Sequence, residues 1–272
     1  MKLTLWGTRG SLASPGPETV RYGGNTACVE VRGDDGTLIV LDAGSGIRRL
    51  SDRVGPSRRV DLFLSHLHMD HIQGLGFFGP LFRPELAVHI WGPPARSDLA
   101  ASLGRYLSPP LFPVRVRDLR SVTFHDAPAQ SVQVGGFSVI AAPVIHPGAT
   151  VGYRISEGPR SIAYIPDHEP ALGARIFPMS SRWTSGAELG RGVDVLVHDA
   201  QYTPGEYGAR VGWGHSTLGD AVALARLVGA GTLVPFHHDP AHADDQLDTI
   251  FDEADAQGLE VVPGTEGLEL VV

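Results

Sequence analysis

Cysteine is nearly absent from this chain of 272 residues, which contains Cys28 alone. A single thiol excludes an internal disulfide framework and any zinc site built from several cysteines. Cys28 lies in the apolar run Ala27-Cys28-Val29, where a buried structural thiol is expected rather than a nucleophile. Any metal site must therefore be built from other side chains.

Long apolar runs and positive charge are also scarce. No stretch approaches the roughly 18 apolar residues that a membrane span needs, and the apolar start of the chain is too short for a signal peptide. We therefore expect a cytoplasmic protein with no membrane partner. Lysine occurs once, at Lys2, and the formal net charge is −8. Proteins that wrap long nucleic acid usually carry a basic excess, so a partner of that kind is not predicted.

The distribution of apolar residues predicts an α+β protein. Many strand-type runs come first and then alternate with helical patterns, without a linker or repeat, so residues 1–272 are predicted to form a single domain. Two mixed β-sheets flanked by helices accommodate this order. Helices are predicted at residues 96–107, 216–228 and 244–257, and alternation of apolar and basic residues predicts a half-exposed strand at 114–117.

The most informative stretch follows the apolar run 60–64 and has the pattern H-x-H-x-D-H, formed by His66, His68, Asp70 and His71. Alternate residues of an extended segment share a face, so the first two imidazoles can point at one centre. Asp70 and His71 come where the chain should turn into a helix, and they approach from another side. Two neighbouring divalent metals suit this arrangement better than one, because four ligands on so short a segment would strain a single tetrahedron. A single structural zinc site and a chance cluster are the alternatives.

Further donors are needed, because a dinuclear site takes about six or seven ligands. His146, Asp167 and His237 each follow a β-type run. Each residue alone could be an ordinary hydrogen-bonded strand end, but as an ordered set they are candidate ligands. Asp42 also ends such a run, and we expect it to order the following turn rather than to bind metal.

In this order of donors, from residue 66 to residue 237, the chain resembles the metallo-β-lactamase superfamily. The resemblance implies an αββα sandwich with the site at one edge between the sheets. It also implies two ligand groups with a bridging carboxylate: His66, His68 and His146 for one metal, Asp70, His71 and His237 for the other, and Asp167 between them. Zinc (Zn2+) is the usual metal for these donors, and Mn2+ or Fe2+ is compatible with them. Homodimers are common in this family, and the sequence leaves open whether this protein forms one.

Two later motifs resemble the tRNase Z-like and cyclic-phosphate phosphodiesterase branch of that superfamily. Residues 198–201, His-Asp-Ala-Gln, resemble its H-E-A-T segment with Asp199 in place of Glu, and residues 214–217, Gly-His-Ser-Thr, resemble its H-S-T loop. In that branch the acid and the loop histidine form a pair near the leaving group. Asp199 would orient His215 and raise its pKa, which suits a general acid for a departing alkoxide.

The resemblance thus implies a metal-dependent hydrolase, specifically a dinuclear phosphodiesterase. A hydroxide bridging two metals would attack phosphorus in line, while Asp70 steers its proton and His215 protonates the leaving oxygen. A cyclic nucleotide, a dinucleotide or a short nucleic-acid end is the expected substrate, and a phospholipid head-group diester is a further alternative. A tRNA-processing enzyme is not expected, because the long arm of tRNase Z normally lies between the third histidine and the bridging aspartate. Here only residues 147–166 separate them.

The loop at residues 7–24 is long for a structureless connection, and such loops are often functional. Its start, Gly-Thr-Arg-Gly-Ser at residues 7–11, combines a turn that offers backbone N–H groups with one cation, features that suit phosphate. Arg9, and Asn25 in the next turn, are therefore predicted to contact substrate. An ordinary surface loop is the alternative.

Other functions share the ligand pattern. A lactam or lactone hydrolase has no evident need for the Asp199–His215 pair, and a flavodiiron-type oxidoreductase normally has Glu where this chain has His68. Metal analysis would distinguish a thioester or persulfide enzyme with one working iron. A non-catalytic binding module would be expected to have lost a ligand, and none is missing.

Overall fold

The computed structural model describes residues 1–94, 98–174 and 177–272. The strands, β1 to β14 in chain order, are Lys2–Gly7, Cys28–Arg32, Leu38–Leu41, Arg59–Phe63, Ala87–Gly92, Val122–Asp126, Val132–Val134, Phe137–Pro143, Val151–Glu157, Arg160–Ile165, Val195–Asp199, Thr232–Phe236, Glu260–Val261 and Glu269–Val271. The α-helices, α1 to α7, are Ile47–Ser51, Met69–Ile72, Leu99–Gly104, Ala187–Gly190, Pro204–Tyr207, Leu218–Val228 and Asp244–Asp252.

The strands form two seven-stranded sheets of mixed direction, as predicted. The first sheet has the order β14-β1-β2-β3-β4-β5-β6, and the second has the order β13-β12-β11-β10-β9-β8-β7. In the first sheet the strands from β14 to β3 pair antiparallel and those from β3 to β6 pair parallel. The second sheet combines parallel pairs from β13 to β10 with antiparallel pairs from β10 to β7.

Three apolar layers hold these sheets and helices together. Side chains from both sheets meet in one buried cluster, which includes Phe63 of β4, Tyr153 of β9 and Phe236 of β12. The outer face of the first sheet packs against α1 and α3, and that of the second packs against α4 and α6. Because both faces of each sheet are covered, strands such as β4 carry apolar residues on both sides: Val60 and Leu62 point outward and Phe63 points inward. The αββα sandwich is confirmed.

The predicted helices exist, with differences at their ends. The Thr217 hydroxyl accepts the backbone N–H of Asp220 at 3.1 Å to cap α6, and Gly229 ends this helix at φ 69°. Helix α7 stops at Asp252, five residues before the predicted end. Helix α3 begins at Leu99; residues 96–97 of the predicted helix lie outside the described residues.

The strand predicted at residues 114–117 is wrong. A short 3-10 turn at Val116–Asp118 occupies part of this segment. The predicted alternation of half-buried and exposed side chains is present, but the segment pairs with none of the described strands. Alternation reports exposure, and a strand also needs a partner for its backbone. No helix in the described part of the chain is long and apolar enough to cross a bilayer.

Candidate metal centre

The candidate ligands lie where strands of both sheets end. His66 and His68 follow β4, and Asp70 and His71 belong to α2. The remaining three candidates follow the ends of β8, β10 and β12: His146, Asp167 and His237. The strands β8, β10 and β12 run in one direction, so their carboxyl ends share an edge. The fold therefore brings all seven predicted side chains to one place.

His66, His68 and His146 form the first group of donors. One ring nitrogen of each lies within 4.8 Å of the others, and Nε2 of His146 lies 3.2 Å from Nδ1 of His68. His66 and His146 are buried, whereas His68 is exposed. The cluster thus opens to solvent on the side of His68.

Asp70, His71 and His237 form the second group, which Asp167 joins to the first. The Nε2 atoms of His71 and His237 lie 3.3 Å apart, and Oδ2 of Asp70 lies 3.3 Å from the first and 3.1 Å from the second. Asp167 places Oδ1 3.0 Å from Nε2 of His71 and Oδ2 3.8 Å from Nε2 of His146. One buried carboxylate therefore faces both groups.

Three of these histidines use the other ring nitrogen to contact an acceptor outside the cluster. The pairs are His71 with Asp42 (2.7 Å), His237 with the Gln201 side-chain oxygen (2.8 Å) and His146 with the Gly214 carbonyl (2.9 Å). These acceptors require a proton on Nδ1 of each ring. Nε2 of each ring then points at the cluster, which is the orientation in which a metal-bound histidine presents its lone pair.

The donor atoms of the cluster suit divalent cations. Nε2 of His71 and Nε2 of His237 converge on the carboxylates of Asp70 and Asp167, so that one cation can contact all four groups. Nε2 of His66 and Oδ1 of Asp167 are buried without a hydrogen-bond partner among the described residues, an arrangement that is costly unless another group contacts them. Imidazole and carboxylate are the donors that zinc, manganese and iron bind.

Burial and charge act in opposite directions on these groups. Burial lowers the pKa of His66 well below its usual value, which keeps this ring neutral. Burial alone would raise the pKa values of Asp70 and Asp167, but His71 beside the first and His237 beside the second hold both below their usual range. Burial would likewise lower the pKa of His71, yet Asp167 and other carboxylates raise it. Both aspartates are therefore ionised, and a proton competes with a cation for His71.

Asp42 supports the cluster without belonging to it. Its side chain is fully buried at φ 58°. It accepts hydrogen bonds from the Ser65 backbone at 2.7 Å, the Ser65 hydroxyl at 2.8 Å and the Tyr164 hydroxyl at 2.8 Å, besides its contact with His71. The sequence indicated a turn here but not these partners. A strand-end Asp offers no signal for a tyrosine more than one hundred positions away.

Asp199 and His215 are in contact, as the motif resemblance predicts. Oδ2 of Asp199 lies 2.7 Å from Nδ1 of His215, while Oδ1 accepts the backbone N–H groups of Gln201 and Ser216, both at 3.0 Å. Burial alone would lower the pKa of His215, but Asp199 raises it to about 9. The ring stacks on His237 with centroids 5.0 Å apart. Gln201 belongs to the motif at residues 198–201, but the sequence did not indicate that its side chain orients His237.

The loop between β1 and β2 contacts the cluster through its backbone. The N–H of Ser11 donates to Oδ2 of Asp70 at 2.7 Å. Gly10 lies so close to His237 that a Cβ there would sit 2.3 Å from Nδ1 of the ring. The two N–H groups before Gly10 donate to the carbonyl of Asn25 at 3.0 and 2.9 Å. The loop therefore binds the protein's own Asp70 carboxylate, and its N–H groups are not free for the predicted phosphate.

Arg9 and Asn25 are likewise corrected as substrate contacts. Arg9 is fully buried. Its guanidinium donates to three main-chain carbonyls, those of Gly23 at 2.7 Å, His242 at 2.6 Å and Asp239 at 3.1 Å. The Asn25 amide donates to Glu266 at 3.1 Å and accepts from the Ser45 hydroxyl at 2.9 Å. The remaining guanidinium nitrogen, Nη2 of Arg9, has no hydrogen-bond partner among the described residues and lies 3.6 Å from Oδ1 of Asp244. These contacts with the protein itself indicate that both side chains fasten loops.

Comparison with known proteins identifies the family. A family described as "Beta-lactamase superfamily domain" matches residues 37–238, which include every candidate ligand. The chain belongs to the metallo-β-lactamase superfamily. This assignment confirms the family that the order of donors suggested, and it agrees with the two stacked sheets.

The chain is also similar to proteins named ribonuclease Z and to solved structures of this superfamily. A ribonuclease Z of Haloarcula marismortui is 28% identical over 313 aligned positions, covering 99% of this chain and 96% of the relative. The structure of human tRNase Z, short form, superposes with a TM-score of 0.68 at 21% identity, covering 100% and 99% of the two chains. A diphosphatase of the PhnP family gives a TM-score of 0.70 at 22% identity, covering 100% and 97%. The two structural matches show a shared fold.

Proposed function

We propose that this protein is a dinuclear metal-dependent phosphodiesterase acting on a small phosphodiester. The observation that carries the proposal is the pair of donor groups facing Asp167, with the Asp199–His215 pair packed against them. Likeness to proteins named ribonuclease Z supports phosphodiester chemistry. Similar donors without the acid pair would suit a lactam or lactone hydrolase equally well.

The two groups would each hold one divalent cation. The first would use His66, His68 and His146, the second would use Asp70, His71 and His237, and Asp167 would contact both. Zinc fits these nitrogen and carboxylate donors best, and manganese or iron is compatible with them. When bound, such cations neutralise phosphoryl charge and lower the pKa of water.

The chain's own residues would then handle the protons. Asp70 is ionised and fixed by the N–H of Ser11, so it can accept a hydrogen bond from the attacking water and steer its proton. His215 is held by Asp199 through Nδ1, and no described residue forms a hydrogen bond with its Nε2. A ring whose pKa is about 9 carries a proton at neutral pH. It can donate this proton from Nε2 to a leaving oxygen.

The substrate is proposed to be small: a cyclic nucleotide, a dinucleotide or a short nucleic-acid end. Residues 147–166, between His146 and Asp167, contain the antiparallel pair β9 and β10, so the long arm of tRNase Z has no counterpart there. The alignment with the Haloarcula protein extends over 313 positions, more than the 272 residues of this chain, so that relative carries segments absent here. A net charge of −8 also disfavours a long polyanion.

The test is hydrolysis of bis-p-nitrophenyl phosphate by purified protein loaded with zinc or manganese. We expect metal-dependent turnover of this diester, with little turnover of p-nitrophenyl phosphate or a lactam. Asp70→Ala should lose roughly 100-fold or more of kcat, whereas Asp52→Ala, an exposed aspartate beside α1, should match the wild type. Two bound metals without diester turnover would contradict the proposal and favour a lactone, thioester or redox substrate.

A further inference from the structure

A groove of about 560 Å³ lies beside the candidate metal centre. Its walls are formed by Leu67, Met69, Ile72, Tyr106 and Leu111, and Arg105 also lines it. Arg105 is the one charged side chain among the described lining residues, and no acidic group accompanies it. The groove thus combines apolar walls with a single cation.

Two residues that line the groove alternate with candidate ligands along the chain. Leu67 lies between His66 and His68 in the chain, and Met69 lies between His68 and Asp70. His68 is the exposed member of the first ligand group, and the Met69 side chain is 53% exposed. A substrate with its phosphorus at the cluster would therefore extend past His68 onto these walls.

Arg105 is available to a ligand. It is exposed at the end of α3, and within the described part of the chain its side chain forms no ion pair or hydrogen bond. Arg48, by contrast, is an exposed arginine with an acidic partner, Asp52 at 2.8 Å. A purely structural role is the alternative for Arg105, because a cation is favourable at a helix C-terminus. That role explains the positive charge but not the apolar residues around it.

We propose that this groove binds the nucleotide on one side of the scissile phosphodiester, with its base on the apolar walls and a second phosphate at Arg105. The proposal rests on the proposed function. Tyr106 is held by its hydroxyl, which donates to the Gln73 carbonyl at 2.6 Å, so its ring is a fixed part of the wall. A planar base packs well on Tyr106 and Met69, and a guanidinium binds phosphate through paired N–H groups.

This subsite selects among the small substrates. A cyclic mononucleotide has one phosphate, which the cluster would occupy, and it leaves Arg105 without an anion. A linear dinucleotide with a terminal phosphate fills both places. The proposed substrate class is therefore a terminally phosphorylated linear dinucleotide or the phosphorylated end of a short oligonucleotide.

The experiment compares kcat/KM for four diesters with metal-loaded protein. They are the dinucleotide ApA, ApA with a 5′-phosphate, ApA with a 3′-phosphate, and bis-p-nitrophenyl phosphate. We expect the wild type to prefer one phosphorylated form over ApA by about tenfold, the size of one charge-assisted hydrogen bond. Arg105→Gln should abolish this preference through KM, and Arg105→Lys should keep part of it.

Arg117→Gln is the matched control, because Arg117 is an exposed arginine in a separate groove on the other side of α3; it should keep the full preference. Bis-p-nitrophenyl phosphate should be hydrolysed equally by all four proteins. Equal rates on ApA and both phosphorylated forms, or a preference that survives Arg105→Gln, would overturn the subsite. Failure of the wild type on every diester would instead contradict the proposed function.

Discussion

Nδ1 of His215 lies 2.7 Å from Oδ2 of Asp199, and the other oxygen of this carboxylate accepts two backbone N–H groups. The backbone thus fixes the acid, and the acid fixes the ring. Burial opposes protonation of His215, but Asp199 outweighs it and raises the pKa to about 9. A protonated imidazole with one orienting partner is suited to donate a proton rather than to bind metal.

The first prediction concerns the leaving group. Hydrolysis of a dinucleotide releases the alkoxide of a nucleoside, which is strongly basic and needs a proton. Hydrolysis of bis-p-nitrophenyl phosphate releases p-nitrophenolate, which leaves without one. His215→Ala should therefore reduce kcat on a dinucleotide by roughly 100-fold or more but should reduce it on bis-p-nitrophenyl phosphate by less than about tenfold. Asp199→Asn should show the same asymmetry. Similar losses on both substrates would indicate that the pair only shapes the site.

The second prediction concerns Asp42. Asn tolerates a positive φ, so Asp42→Asn should keep the backbone while removing the charged acceptor of Ser65, Tyr164 and His71. Zinc affinity should fall by roughly 10–100-fold, and the free energy of unfolding of the metal-free protein should fall by roughly 1–3 kcal/mol. Competition with a chromophoric chelator and urea denaturation measure these quantities. Unchanged zinc affinity would contradict the orienting role.

The third prediction separates stability from substrate binding at Arg9. Arg9→Gln removes donors from three buried carbonyls and leaves Asp244, 3.6 Å from the guanidinium, without its buried partner. We expect the free energy of unfolding to fall by roughly 3–5 kcal/mol, with KM unchanged at temperatures where the variant is folded. The control is Arg21→Gln, an exposed arginine near the same carboxylate, which should change stability little. A raised KM in a stable Arg9 variant would restore the substrate contact.

The fourth prediction concerns pH. His89 on β5 and His125 on β6 face each other, with Nδ1 of the first 2.8 Å from Nε2 of the second. Burial, aided by Arg59 at His89, lowers the pKa of both below 6.5. The unfolded chain therefore binds these protons more readily, so the stability from this pair is present above pH 6.5 and is lost as the pH falls through the lowered values.

His125→Gln should consequently flatten the pH dependence. We expect the metal-free wild type to lose more free energy of unfolding between about pH 7.5 and about pH 5.5 than this variant does. His89→Gln should behave in the same way. The cluster histidines titrate alike in all three proteins, so the difference isolates the pair. Identical pH slopes would show that the pair does not contribute.

The positions of the strands could be predicted because each apolar run is local and the pattern of burial repeats every two residues. The apolar run 60–64 predicted β4, and the donors that follow this strand belong to the cluster in the structure. The strand predicted at residues 114–117 was wrong because the alternation of exposure is typical of a strand, whereas this segment pairs with none of the described strands. The prediction that Arg9 contacts substrate was wrong because a cation beside glycines has the same sequence pattern whether it faces substrate or protein carbonyls. Its partners Asp239 and His242 are more than two hundred positions away.

The sequence by itself determined which donors are present, their order, and their place at strand ends, because these features depend on chemistry and local periodicity. Only the tertiary structure decided which nitrogen of each ring faces the centre, since that depends on distant acceptors such as Asp42 and Gln201. The tertiary structure also decided that Arg9 is enclosed by its own chain while Arg105 borders an open groove. Whether a cation is free for a ligand depends on burial and partners, and those are properties of the folded chain.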